Sequence, residues 1–291
     1  MPNLRLEAGN SKLILDCGGR KLDLSRPAVM GILNVTPDSF SDGGVFLSLE
    51  SAVVQAVQMT EEGADIIDVG GESTRPGARP VSTQEEIDRV IPVIAALRAR
   101  IPLPISIDTS KPEVMRSAVA AGAGLINDVR SLRAEGALMT AAALNVPVCL
   151  MHMQGEPRTM QDDPHYDDVV ADVIGFLRER LQAARAAGIR AQSLVIDPGF
   201  GFGKTLEHNL ELLRGLGKLR ALGAPILAGT SRKSMIGKAL GLPMERRLFA
   251  SVALAVMAVQ NGARIVRVHD VGPTVDALRM WQAVYPESAR E

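Results

Sequence analysis

Eight short runs rich in Val, Ile and Leu recur along this chain, each followed by a longer alanine- and leucine-rich segment with a charged face. The runs are Val29–Thr36, Asp65–Gly71, Pro104–Thr109, Leu125–Val129, Pro147–Met153, Ser193–Pro198, Pro225–Thr230 and Arg264–His269. The intervening segments Thr83–Arg100, Pro112–Ala121, Asp167–Ala187 and Leu206–Leu222 carry helical periodicity, and a last helix is expected over Thr274–Tyr285. Eight strand–helix units in about 260 residues fit a closed (β/α)8 TIM barrel better than an open sheet, which usually has fewer units and a nucleotide fingerprint after its first strand. Here the first run leads into Asn-Val-Thr-Pro-Asp-Ser-Phe instead. Ahead of it, Leu4–Leu15 and Lys21–Leu24 around Cys17-Gly18-Gly19 predict a β-hairpin capping the barrel floor. With no linker or low-complexity tract, residues 1–291 read as a single domain.

Composition limits the partners. The 32 basic and 33 acidic residues are interspersed and leave a net charge of −1, which gives no footprint for nucleic acid or an anionic membrane. Any anion must therefore be held locally. Cys17 and Cys149 form no CxxC pair, as suits a reducing compartment. The N-terminal segment lacks a basic stretch followed by an apolar run, and Leu248–Val259 is too short to span a bilayer, so the expected location is the cytoplasm. That last segment is apolar nearly all round, which predicts a homodimer with this helix in or near the interface.

In barrels of this kind the chemistry sits at the C-terminal ends of the strands. Here those ends hold Asn34, Glu72-Ser-Thr-Arg75, Asp108, Asn127-Asp128, His152, Asp197, Ser231-Arg-Lys-Ser234, Arg267 and His269. So many polar groups at strand ends are costly unless a ligand or a network satisfies them. Helix capping competes as an explanation at Asp108 and at Ser231–Ser234, but Lys233 and Arg267 cannot accept a bond from an N-terminal N–H. Gly199-Phe-Gly-Phe-Gly-Lys204-Thr205 is not a Walker loop, because Pro198 occupies the position of its first glycine. It predicts a mobile loop that carries Phe200 and Phe202 to a flat substrate. The four histidines lack zinc-binding spacing.

Met30–Gly44, containing Asn-Val-Thr-Pro-Asp-Ser-Phe-Ser-Asp-Gly-Gly, and Asp68–Gly77, Asp-Val-Gly-Gly-Glu-Ser-Thr-Arg-Pro-Gly, resemble the two signatures of the dihydropteroate synthase family. Ile107–Thr109, Ile126–Asp128, Asp197–Lys204, Ser231–Ser234 and Arg267–His269 match further family motifs, in family order. The resemblance implies an enzyme of folate biosynthesis, a target of sulfonamides, that joins a dihydropterin methyl pyrophosphate to p-aminobenzoate with Mg2+. It implies that Asp197, Asp108 and Asn127 accept the guanidine-like edge of the pterin, Lys233 donates to the ring, and Arg267 stacks on it and reaches phosphate. It assigns Asn34, Thr74, Arg75, Arg267 and His269 to pyrophosphate, with Asn34 also on Mg2+. Phe40, Pro76 and Phe202 would sandwich p-aminobenzoate, and Ser234 at a helix start would hold its carboxylate. Asp42 would stabilise the cation left by departing pyrophosphate, making Asp42, Arg75 and Lys233 the catalytic set. The family also implies a homodimer. Two rival readings are a methyltetrahydrofolate-dependent methyltransferase, which needs no pyrophosphate clamp, and a non-catalytic pterin-binding subunit, which needs no Phe40, Asp42 or Arg75.

Overall fold

The structure is a computed structural model that describes residues 13–35, 44–73, 79–156 and 159–286. A two-stranded hairpin comes first, β1 (Ile14–Cys17) against β2 (Arg20–Asp23), followed by eight parallel strands: β3 (Ala28–Asn34), β4 (Ile66–Gly70), β5 (Ile105–Asp108), β6 (Leu125–Asp128), β7 (Val148–Met151), β8 (Leu194–Asp197), β9 (Ile226–Ala228) and β10 (Ala263–Val268). They close in sequence order, β10 pairing with β3, into the expected TIM barrel. The helices are α1 (Gly44–Glu61), α2 (Thr83–Arg100), α3 (Pro112–Ala121), α4 (Ala137–Leu144), α5 (Val169–Ala186), α6 (Leu206–Arg214), α7 (Ser234–Leu240), α8 (Leu248–Gln260) and α9 (Val271–Val284).

Residue parity along each strand divides the core in two. Val29, Ile67, Ile107, Ile126, Val148, Ile196 and Val266 point outward and pack under the helices in one large cluster. Their neighbours Met30, Ile66, Leu125, Cys149, Val195, Leu227 and Ile265 point inward at the bottom of the barrel. There they meet Leu15, Cys17, Leu22 and Leu24, so the hairpin does plug the floor, although residues 4–12 of its expected first arm lie outside the described residues. Its turn uses Gly18 (φ 64°) and Gly19 (φ 83°), the left-handed pair that a two-residue hairpin loop requires. The fit is close at Gly124, where a Cβ would lie 2.1 Å from the Cys17 carbonyl oxygen.

Two helices depart from expectation. Leu206–Leu222 is not one helix. It breaks at Gly215, where a Cβ would lie 2.7 Å from Val170 Cγ2, and continues as a 3-10 turn over Leu216–Leu222. The last helix begins at Val271, three residues before the expected Thr274, because Pro273 is tolerated in a first turn, whose N–H groups have no partner within the helix. No helix among the described residues is long and apolar enough to cross a membrane.

Candidate active site

Two residues above the floor cluster, the same parity turns a second ring of side chains into the lumen. Ile66 is followed by Asp68, Leu125 by Asn127, Val195 by Asp197 and Ile265 by Arg267. Asp108 stands two residues above Ser106, which pairs in register with Asp68. The inward side of the barrel is thus apolar below and charged above.

These side chains bond to one another. Arg267 Nε donates to Asp68 Oδ2 at 2.6 Å and its Nη2 donates to Asp108 Oδ2 at 2.8 Å. Asn127 Nδ2 donates to the same Asp68 Oδ2 at 3.1 Å. Asp68, Asn127 and Asp197 are buried, and Arg267 keeps 20% of its side chain exposed. Burial raises Asp108 to about 7, Arg267 pulling against it and Asp68 pushing with it. Burial alone would lower Arg267, but Asp68 and Asp108 together hold the guanidinium charged well above its ordinary value.

Lys233, the residue before α7, faces the ring from above. Its Nζ donates to the Phe200 carbonyl and lies 4.6 Å from the centre of the Phe202 ring. Burial lowers Lys233 to about 8, with Asp197 opposing. Burial likewise raises Asp197, with Lys233 opposing, and its Oδ1 accepts from Gly199 N at 2.7 Å. The capping explanation fails on both loops. The residues before α3 and α7 are Lys111 and Lys233, neither helix receives a side-chain cap, and Asp108 spends an oxygen on Arg267.

The glycine loop corrects the expectation of a mobile carrier. Lys204 is buried, and its ammonium donates to Gly199 O (2.9 Å) and Phe202 O (3.0 Å) and lies 2.9 Å from His152 Nδ1. Burial lowers Lys204 to about 7, with Asp197 opposing, and burial, then the Lys204 charge, lowers His152 to about 2. Tyr166 Oη donates to Gly203 O at 2.7 Å and Gln161 Nε2 to Gly201 O at 2.6 Å. Phe200 is fully buried in the outer core and cannot meet a substrate. Only Phe202 is partly exposed, packed beside Val129, Met151, Met153 and Met160.

Asn34 ends β3 at the rim, its Oδ1 3.6 Å from where a Gly70 Cβ would lie. His269 follows β10 with Nδ1 3.0 Å from Ser231 Oγ, and Ser234 is exposed at the start of α7. Phe40, Asp42, Thr74, Arg75 and Pro76 lie outside the described residues. Asp128, adjacent to Asn127, points away from the lumen. It accepts from Ser110 Oγ, Arg130 N and Leu132 N, and so shapes the following loop. Sequence reasoning missed Asp68, which sits mid-strand and reads as core. Counting two residues up from each floor residue would have found it.

An inward ring of buried acceptors is thus faced by a lysine and crossed by an arginine, and a family model described as "Pterin binding enzyme" matches residues 30–269. Dihydropteroate synthase of Haemophilus influenzae is 55% identical over 262 residues, spanning 90% of this chain and 95% of that protein. The structure of Xanthomonas albilineans dihydropteroate synthase with 4-aminobenzoic acid aligns with a TM-score of 0.90 at 58% identity, covering 94% of this chain and 98% of that one. The same enzyme in complex with 7,8-dihydropteroate aligns at a TM-score of 0.86 and 56% identity, covering 93% and 98%. This chain belongs to the dihydropteroate synthase family, and the methyltransferase and non-catalytic readings lose to that match.

Proposed function

We propose that this protein condenses 6-hydroxymethyl-7,8-dihydropterin pyrophosphate with p-aminobenzoate, giving 7,8-dihydropteroate and pyrophosphate. The observation that carries the reading is the lumen ring, in which Asn127 and Asp197 offer acceptors and Lys233 a donor beside them. A pterin presents a lactam N–H next to an exocyclic amine, the edge such acceptors satisfy, and its carbonyl and ring nitrogen suit the lysine.

In this reading the C–O bond to pyrophosphate breaks with its electron pair going to the leaving oxygen, and the arylamine nitrogen forms a bond to the same methylene carbon. The amine proton passes to released pyrophosphate or water. Asn34, Thr74, Arg75, Arg267 and His269 would hold the pyrophosphate. The bonds Arg267 makes to Asp68 and Asp108 use Nε and Nη2, so Nη1 is the nitrogen to offer a phosphate. Phe40, Pro76, Phe202 and Ser234 would bind p-aminobenzoate, and Asp42 would face the developing cation.

Mg2+ belongs to the same proposal. It prefers oxygen ligands and takes many of them from water and substrate phosphates, so a single amide oxygen, Asn34 Oδ1, fits it. Once bound, it would neutralise charge building on the departing pyrophosphate. A homodimer is proposed through α8, where Phe249 is 84% exposed and Met257, two turns along, is 49% exposed. A cytoplasmic location agrees with the reading. The test is formation of 7,8-dihydropteroate from the two substrates with Mg2+; no product with purified protein would end the proposal.

A further inference from the structure

Asp68 is fully buried, and its Oδ1 finds no hydrogen-bond partner among the described residues. Leaving a buried carboxylate oxygen unpaired costs stability, so the place of this carboxylate is not explained by Oδ1. Its other oxygen supplies the reason. Oδ2 accepts from Arg267 Nε and from Asn127 Nδ2 together. An ionised carboxylate has nothing to donate, so the amide end facing it must be the NH2 group. Asn127 is thereby fixed with Oδ1 turned away from Asp68, and that acceptor is the end left for a ligand.

We infer that Asp68 is a positioning residue that sets the polarity of the pterin-recognising edge. It locks Asn127 with its acceptor toward the ligand and aligns Arg267 beside it. The site consequently demands N–H donors from whatever ring it takes, although Asp68 touches no substrate. Without Asp68 the Asn127 amide would be free to rotate and present NH2 to the donor edge of the pterin. The inference rests on the pterin reading above.

Titration calorimetry of the full chain with 7,8-dihydropteroate tests it. Asp68→Leu should weaken binding at least tenfold. Asp68→Asn keeps a carbonyl oxygen where both donors need it, so it should bind within about threefold of wild type. In an Asn127→Ala background, Asp68→Leu should cost at least threefold less than it does in wild type, since the amide it orients is gone and only its hold on Arg267 remains to be lost. Thermal melts of each variant separate misfolding from weakened binding, and if Asp68→Leu fails to fold, Asp68→Asn decides alone. Tenfold loss in Asp68→Asn would show that charge matters and orientation does not, and would overturn the inference. An equal cost of Asp68→Leu with and without Asn127 would overturn it too. Wild-type protein that fails to bind 7,8-dihydropteroate would instead refute the pterin reading.

Discussion

Replacing Gly199 by alanine should disable the pterin side of the site through the backbone alone. Gly199 has φ 69°, and a Cβ there would lie 1.9 Å from the His152 carbonyl oxygen. The left-handed conformation costs alanine about 1–2 kcal/mol. The overlap is with a backbone carbonyl just past β7, where His152 N is tied to Asp197 O at 2.9 Å, so no rotamer relieves it, and the loop must retreat by about 1 Å to reach tolerable contact. That retreat pulls on the Lys204 bond to Gly199 O and on the 2.7 Å bond from Gly199 N to Asp197. Weakening one charge-assisted bond adds about 1.5–3 kcal/mol, for a total of roughly 3–5 kcal/mol. With 291 residues and about 2.1 cal/mol/K per residue, the melting temperature should fall by about 5–8 °C. Pterin affinity should fall with it, because Asp197 loses its alignment. Gly223→Ala is the control: φ is 70° and no atom lies within 4 Å of the added Cβ, so only the conformational cost of about 1–2 kcal/mol applies. Differential scanning calorimetry of both variants decides, and a Gly199→Ala protein no less stable than Gly223→Ala would refute the reasoning.

Asp197→Asn must keep its oxygen toward Gly199 N, which turns NH2 to the pterin, so calorimetry should read a loss of about 2–4 kcal/mol in binding. Asp108 has its folded value raised to about 7, so its stabilising protonation is fully present below its ordinary value near 4 and is lost as pH rises through 7. Asp108→Asn removes that titration, so the stability of the variant relative to wild type should rise from pH 4.5 to pH 8, as read from urea midpoints. Phe249→Asp should give a monomer by light scattering at micromolar concentration. Pyrophosphate with a pterin should tighten p-aminobenzoate binding at least tenfold, about 1.4 kcal/mol, and Arg75→Ala should abolish that gain in titrations while sparing pterin affinity.

Patterning along the chain marked every barrel strand to within about two residues, because each strand is buried on both sides and reads as a continuous apolar run. The hairpin was legible from its glycine pair. What stayed hidden depended on tertiary contacts. That position 215 has no room for a side chain follows from Val170, which lies 45 residues earlier in the chain. Phe200 and Phe202 look equivalent in the sequence, yet one fills the outer core and the other borders the lumen. Lys204 reads as one letter of a motif until the fold sets it against His152. Asn127 and Asp128 separate only when strand parity is counted from the floor.

The seam between β3 and β10 has a consequence for synthesis of the chain. Met30 pairs in register with Arg267, so the first barrel strand and the residue crossing the site are joined across 237 positions. At roughly 5–20 residues per second, about 12–47 s of translation separate the two. Until then β3 presents an unpaired edge, an invitation to mispairing with other nascent chains. A holdase that shelters this edge, or a slower messenger upstream of β10, should change the yield of folded protein without changing its final stability.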